Sequence, residues 1–235
     1  MTTFTPELTV GEIAAKQPGT VRVFEKYRID FCCGGKIPLE EACAKSGLDT
    51  AAVLEEIETA AAAPPADATD WQNADLDRLI DHIIETHHGY MKIALPRVEQ
   101  MLAKVASKHG DRLPPLGAVY GPMKEELDGH LYKEEMVLFP LIRGLIHAQR
   151  TGSAAPTSHC GGVRNPLRVM LMEHDSAGDA LVRLREMTGG YTVPEGACNT
   201  FRALYHELEE MEADLHRHIH LENNILFPRA IALEG

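Results

Sequence analysis

The sequence predicts an all-α protein, a four-helix bundle preceded by a small helical module. Three observations carry that prediction. Apolar residues recur three and four positions apart through four long stretches, as in Leu76, Leu79, Ile80, Ile83 and Ile84, which is the period of a helix with one buried face. No alternating run of strand length interrupts them. The connections between the stretches are short and contain glycine and proline, the usual joints of antiparallel bundle helices.

Composition narrows the function classes. The 235 residues are 44% hydrophobic and 25% charged, enough apolar material for a packed core. Lys and Arg number 23 against 35 Asp and Glu, a net charge of −12. Nucleic-acid binding needs a basic footprint, so no nucleic-acid partner is expected, whereas an acidic surface suits cations. No apolar run approaches a membrane span, and the first residues lack the basic-then-apolar pattern of a secretory signal. Five cysteines are present, Cys32 and Cys33 adjacent and Cys43, Cys160 and Cys198 scattered. Adjacent cysteines do not readily form a relaxed disulfide. The expectation is a reduced, cytoplasmic protein with no membrane partner.

Residues 1–62 are expected to form the small helical domain. Val21, Phe24 and Tyr27 fall at helical spacing, as do Leu54 and Ile57. Between them Asp30-Phe31-Cys32-Cys33-Gly34-Gly35-Lys36 is predicted to be an exposed turn, because paired glycines favour one. Residues 63–74 read as a linker, since Ala60-Ala-Ala-Ala-Pro-Pro ends the preceding helix. Residues 75–235 are expected to form the bundle, with helices over Leu76 to Lys108, Leu116 to Gln149, Pro166 to Met187 and Glu195 to Ala232. Gly110 with Pro114-Pro115, Gly152 with Pro156, and Gly189-Gly190 punctuate them.

The bundle contains an internal repeat. His130-x-x-x-Glu134-x-x-x-Leu138-Phe139-Pro140 recurs as His218-x-x-x-Glu222-x-x-x-Leu226-Phe227-Pro228, an offset of 88 residues. The other two helices repeat more weakly, Ile83-Ile84-Glu85-Thr86-His87-His88 against Leu171-Met172-Glu173-His174. His and Glu four apart lie on one helix face, one turn above the other, so both can reach the same metal. One such pair is ordinary on a solvated helix; two copies, each followed by Leu-Phe-Pro at the same spacing, are not. Helices one and three each add an inward histidine at matching depth, His174 on the third and His88 or its neighbour His87 on the first. Four imidazoles and two carboxylates suit a pair of iron or manganese ions, with the carboxylates offsetting the repulsion between cations. Glu126, one turn before His130, and Glu173, next to His174, are candidates to support these ligands or to lead iron inward, with plain surface charge as the alternative. Cys32 and Cys33 are candidates for redox exchange or transient iron holding, with Lys36 expected to favour the thiolate and a purely structural turn as the alternative.

The Asp30-to-Lys36 segment, Lys133-Glu-Glu-Met-Val-Leu-Phe-Pro, Met172-Glu-His-Asp and His218-Ile-His-Leu-Glu-Asn-Asn-Ile-Leu-Phe-Pro-Arg-Ala resemble the repair of iron centers (RIC) di-iron proteins over nearly the whole chain. The resemblance implies a hemerythrin-like bundle with His88, His130, His174 and His218 as terminal iron ligands and Glu134 and Glu222 bridging. It also implies two iron ions joined by an oxo bridge and a role in repairing iron–sulfur clusters damaged by nitrosative or oxidative stress. Iron–sulfur apoproteins would be the partners and iron donation the mode of action. The alternatives are nitric oxide reduction at the di-iron site, or sensing of dioxygen or nitric oxide. True hemerythrins carry more histidines and an Asp in the last motif, where this chain has Glu222. The sequence leaves open whether the protein turns over a substrate and whether it forms a homodimer through the cysteine turns.

Overall fold

Thr9 and Glu12 start the chain's first helix reciprocally. The Thr9 hydroxyl accepts from the Glu12 amide at 3.3 Å and the Glu12 carboxylate accepts from the Thr9 amide at 3.0 Å, a capping box for α1 (Val10–Lys16). The computed structural model describes residues 4–62, 69–156 and 161–234. Residues 63–68 of the predicted linker, and Cys160, lie outside them. A single 3₁₀ turn (Pro18–Thr20) leads into α2 (Val21–Tyr27), which ends on Arg28 in the left-handed region at φ 54°. Then come α3 (Leu39–Lys45) and α4 (Thr50–Ala62).

The bundle has four rods, as expected, and three of them are broken by π turns. The first rod is α5 (Leu76–His82), a π turn (Ile83–His88) and α6 (Gly89–His109). The second is α7 (Gly117–Lys133), a π turn (Glu134–Leu138) and α8 (Phe139–Thr151). The third, α9 (Arg164–Met187), is continuous. The fourth is α10 (Asn199–Leu221), a π turn (Glu222–Leu226) and α11 (Phe227–Glu234). Phe-Pro follows immediately in two cases. Pro140 and Pro228 have no amide to give to the preceding turn and their rings crowd its carbonyl, so a widened turn just before Phe-Pro accommodates them. The Leu-Phe-Pro of each repeat therefore sets the helix shape. The fourth rod starts at Asn199 rather than Glu195, because Gly196 takes a positive φ of 70° and Cys198 is extended. Among the described residues no helix is long and apolar enough to cross a membrane.

Buried apolar side chains form two clusters. One contains Leu79, Ile83, Phe139, Ile142, Leu167, Met170, Leu226 and Phe227. The other contains Met91, Leu95, Leu127, Leu131, Leu181, Leu208, Met211 and Leu215. In each rod the candidate ligands lie where one cluster gives way to the other. The N-terminal module does not hang free: Phe4, Val10, Ile13, Phe24, Phe31 and Leu39 belong to the second cluster. Phe31 is buried, stacks on Phe24 at 6.1 Å and meets the edge of the His220 ring at 5.5 Å. Asn224 on the fourth rod donates to the Phe31 carbonyl at 3.1 Å and to His220 Nδ1 at 2.9 Å. Arg217 reaches Glu25 of α2 at 2.8 Å.

His220 is buried at this junction, and burial pushes its pKa down to about 4. A histidine kept neutral by the fold stabilises above its unfolded pKa and loses that contribution as pH falls, because the unfolded chain binds the proton first. Between pH 7.5 and 5 the metal-free chain should lose about 2 kcal/mol from this group alone. Urea unfolding at the two pH values should show that loss in the wild type and not in His220→Phe; parallel pH slopes in the two chains would count against it.

Candidate metal centre

The π turns begin or end on the candidate ligands. His88 closes the first, Glu134 opens the second and Glu222 opens the third, while His130, His174 and His218 stand on the regular helices alongside. All six side chains are buried. They fall into two overlapping groups, His88–Glu134–His218–Glu222 and His130–Glu134–His174–Glu222, within each of which one ligand atom per residue lies within 4.8 Å of every other. Both glutamates belong to both groups. His88 Nε2 and His218 Nε2 are 3.2 Å apart, and His130 Nε2 and His174 Nε2 are 3.1 Å apart. Glu134 Oε2 sits 3.4 Å from His88 Nε2 and 3.3 Å from His130 Nε2. Glu222 Oε2 is 3.1 Å from His174 Nε2 and its Oε1 is 3.3 Å from His218 Nε2.

The outer hydrogen bonds decide what these atoms offer. His88 Nδ1 faces Glu135 Oε1, His130 Nδ1 faces Glu173 Oε2 and His174 Nδ1 faces Asn223 Oδ1, each at 2.8 Å. Each acceptor places the ring proton on Nδ1 and leaves the Nε2 lone pair aimed inward. The four carboxylate oxygens of Glu134 and Glu222 are buried with no hydrogen-bond partner among the described residues. The centre thus converges lone pairs from imidazole and carboxylate with no donor to receive them, an arrangement that fits cations and that is costly without them. Burial opposes ionisation of Glu222, but the adjacent His218 and His174 imidazoles outweigh it and hold the carboxyl well below the usual range. Burial and Glu222 likewise oppose ionisation of Glu134, and His130 and His88 outweigh them.

The repeat is not symmetric in its outer layer. Glu135 and Asn223 occupy equivalent positions and each supports a histidine of the neighbouring rod. Glu173 supports His130, and Lys133 in turn contacts Glu173. Its counterpart His87 turns away, with Nδ1 facing Asp214 at 3.0 Å and its ring parallel to that of His218 at 5.6 Å. His218 Nδ1 is left buried and unpartnered among the described residues. Of the adjacent pair on the first rod, the structure brings His88 to the cluster. Glu126 lies outside it, exposed and accepting from Ser176 at 2.9 Å. Glu135 and Asn223 escaped sequence reasoning, although each directly follows a repeated Glu, which is the signal that could have found them.

The cysteine turn departs from expectation. Cys32 is buried and Cys33 half-buried, because the turn is pressed against the third and fourth rods: Cys33 Sγ lies 3.4 Å from the His174 carbonyl and Asn223 donates to the Cys32 carbonyl at 3.4 Å. Lys36 does not set the thiol. The neighbouring Cys33, burial and Asp30 push the Cys32 pKa well above its ordinary value.

A buried His/Glu cation site inside an antiparallel helical bundle is what the fold and geometry define. The chain belongs to the hemerythrin HHE cation binding domain family, whose model matches residues 79–230. Residues 6–61 match a second family, described as a Domain of Unknown function (DUF542). The chain is 40% identical over 226 residues, 95% of its length and 96% of the relative's, to a protein named iron-sulfur cluster repair protein YtfE from Yersinia pseudotuberculosis serotype O:1b (strain IP 31758). It is 39% identical over the same extent to the protein of that name from Yersinia pestis (strain Pestoides F). The family resemblance read from the sequence segments therefore extends over both halves of the chain, and the buried His and Glu groups are compatible with iron.

Proposed function

We propose that the chain holds two iron ions and restores iron–sulfur clusters damaged by nitrosative or oxidative stress, donating iron to apoproteins in the cytoplasm. The observation that carries this reading is the pair of overlapping groups with both glutamates in common and four carboxylate oxygens unpartnered. His88 and His218 would cap one ion, His130 and His174 the other, and Glu134 and Glu222 would bridge them. The relatives, named iron-sulfur cluster repair proteins, supply the substrate class. When bound, an oxo-bridged iron pair supplies ferrous–ferric redox chemistry and exchangeable iron. The protein's own part is to hold and to let go. Glu135, Glu173 and Asn223 fix the rings of His88, His130 and His174. Protonation of either bridging carboxylate would remove an anion common to both ions and loosen both at once.

The test is restoration of a nitric oxide-damaged iron–sulfur enzyme by the iron-loaded chain. Activity should return as iron leaves the chain in step. Restoration without iron loss, or repeated formation of nitrous oxide from nitric oxide, would replace donation with redox turnover. A second expected result concerns the outer layer. Glu173→Ala should weaken metal binding about 10–100-fold by freeing the His130 ring. Competition with a chromophoric chelator measures this, and an unchanged affinity would remove Glu173 from the site.

A further inference from the structure

The turn between α2 and α3 has a built geometry of its own. Asp30 Oδ1 accepts from the Cys32 amide at 2.9 Å and the Cys33 amide at 3.0 Å, and Oδ2 accepts from the Gly34 amide at 2.8 Å. Three amides thus fix the carboxylate beside the two thiols. Cys32 Sγ lies 3.3 Å from Asp30 Oδ1 and 3.8 Å from Cys33 Sγ, and one ligand atom from each of the three residues lies within 4.8 Å of the others. Glycines let the turn close tightly around these groups. A Cβ at Gly34 would sit 2.9 Å from Asp30 Oδ2, one at Gly35 would sit 2.6 Å from the Phe31 carbonyl oxygen, and one at Gly178 of α9 would meet Cys33 Sγ at 3.3 Å.

We propose that Asp30, Cys32 and Cys33 form a second cation site, separate from the bundle centre, for a thiophilic divalent ion such as Fe²⁺ or Zn²⁺. The distances agree with that chemistry. Two metal–sulfur bonds of about 2.3 Å at a tetrahedral angle place the sulfurs about 3.8 Å apart, the separation already present. A carboxylate oxygen about 2.1 Å from the same ion lies about 3.6 Å from each sulfur, close to the 3.3 Å between Cys32 Sγ and Asp30 Oδ1. Two sulfurs and one oxygen exclude Mg²⁺ and Ca²⁺ as preferred occupants and favour softer ions. Three protein ligands leave the fourth position open, and the turn faces a cavity of about 480 Å³. Asp175 and Asp179 of α9 and Glu209 of α10 line that cavity together with Arg28 and Arg185, and its carboxylates outnumber its guanidinium groups, so the net charge favours a cation. Binding is a ligand exchange without redox change: the ion takes two sulfur lone pairs and one from the carboxylate, and the two thiol protons pass to water. Asp30 comes from the same turn, so the third ligand needs no second subunit. The site needs no assumption about what the bundle centre does.

Cobalt(II) distinguishes this site from the bundle centre, because only a sulfur ligand gives the intense near-ultraviolet thiolate-to-cobalt band. Anaerobic titration of the reduced full-length chain should produce that band, saturating at one cobalt per chain for this transition. Cys33→Ser and Cys32→Ser should each weaken the affinity read from the band at least tenfold. Circular dichroism establishes that either variant is folded, and the two together keep the test decisive if one is not. Absence of the band in the wild-type chain, or a band that survives in both serine variants, overturns the proposal.

Discussion

A chain carrying Glu134→Ala and Glu222→Ala is expected to lose the iron pair of the bundle centre, where the wild type holds about two ions, whatever the cysteine turn binds. Two divalent cations about 4 Å apart repel by about 16 kcal/mol at an effective dielectric of 20. The two glutamates are the only anions among the six converging side chains, and each faces both groups. Without them four neutral imidazoles remain, which can hold a single ion weakly and have nothing to offset a second. Either single variant keeps one carboxylate and should fall between, near one ion per chain for about half of the bound metal. Iron determination with the visible spectrum, on anaerobically purified protein, checks this. Full iron loading of the double variant would remove the bridging role from both residues. Fewer than two irons in the wild type, with no oxo-bridged absorption, would break the two-ion reading and leave the repeat to be explained by packing.

The second large effect is expected at the junction between the halves. Phe31→Ala should destabilise the chain by about 3–5 kcal/mol, the usual cost of deleting a buried aromatic ring. Phe31 is 2% exposed and touches Phe24 on its own side and His216 and His220 across the junction. The neighbours are held by hydrogen bonds from Asn223 and Asn224 to the turn's backbone, so the space cannot close easily. Thermal unfolding should shift down by about 10 °C for a chain of this size. A loss under about 1 kcal/mol would mean that the site collapses more freely than its packing suggests.

How much of this was legible beforehand depended on whether a feature was written in local periodicity. The four rods were, because Leu76, Leu79, Ile80 and Ile83 mark a buried stripe whatever the helix packs against. The convergence of His88, His130, Glu134, His174, His218 and Glu222 in one buried cluster was legible too, because the duplicated His-x-x-x-Glu places two pairs at equal depth in facing helices. Spacing alone left His87 and His88 open. Their side chains point in different directions around the helix, and it is Asp214, on the adjoining fourth rod but remote in sequence, that draws His87 away. The docking of the cysteine turn was out of reach for the same reason. Paired glycines give a turn, but nothing in Asp30 to Lys36 reports that Asn223 and Asn224 wait opposite. The late start of α10 hid in Gly196, whose positive φ the following apolar pattern masks.

The π turns have one more consequence. Each residue added to or removed from a helix turns everything beyond it by about 100°. In the second rod, α7 buries Leu127 and Leu131 and α8 buries Phe139, Ile142 and Ile146, and the widened turn between them supplies the angular correction that lets both stripes face inward. The fourth rod repeats the arrangement around Glu222–Leu226. These short windows behave like the seam of a vernier: their length is constrained as tightly as the identity of the ligands that open them. Inserting one further residue between Glu135 and Leu138 would leave every ligand in the sequence and still rotate Phe139 and Ile142 out toward solvent. Substitution of Glu134 and insertion just beyond it therefore act on different properties, the first on the metal centre and the second on the phase of the whole distal rod.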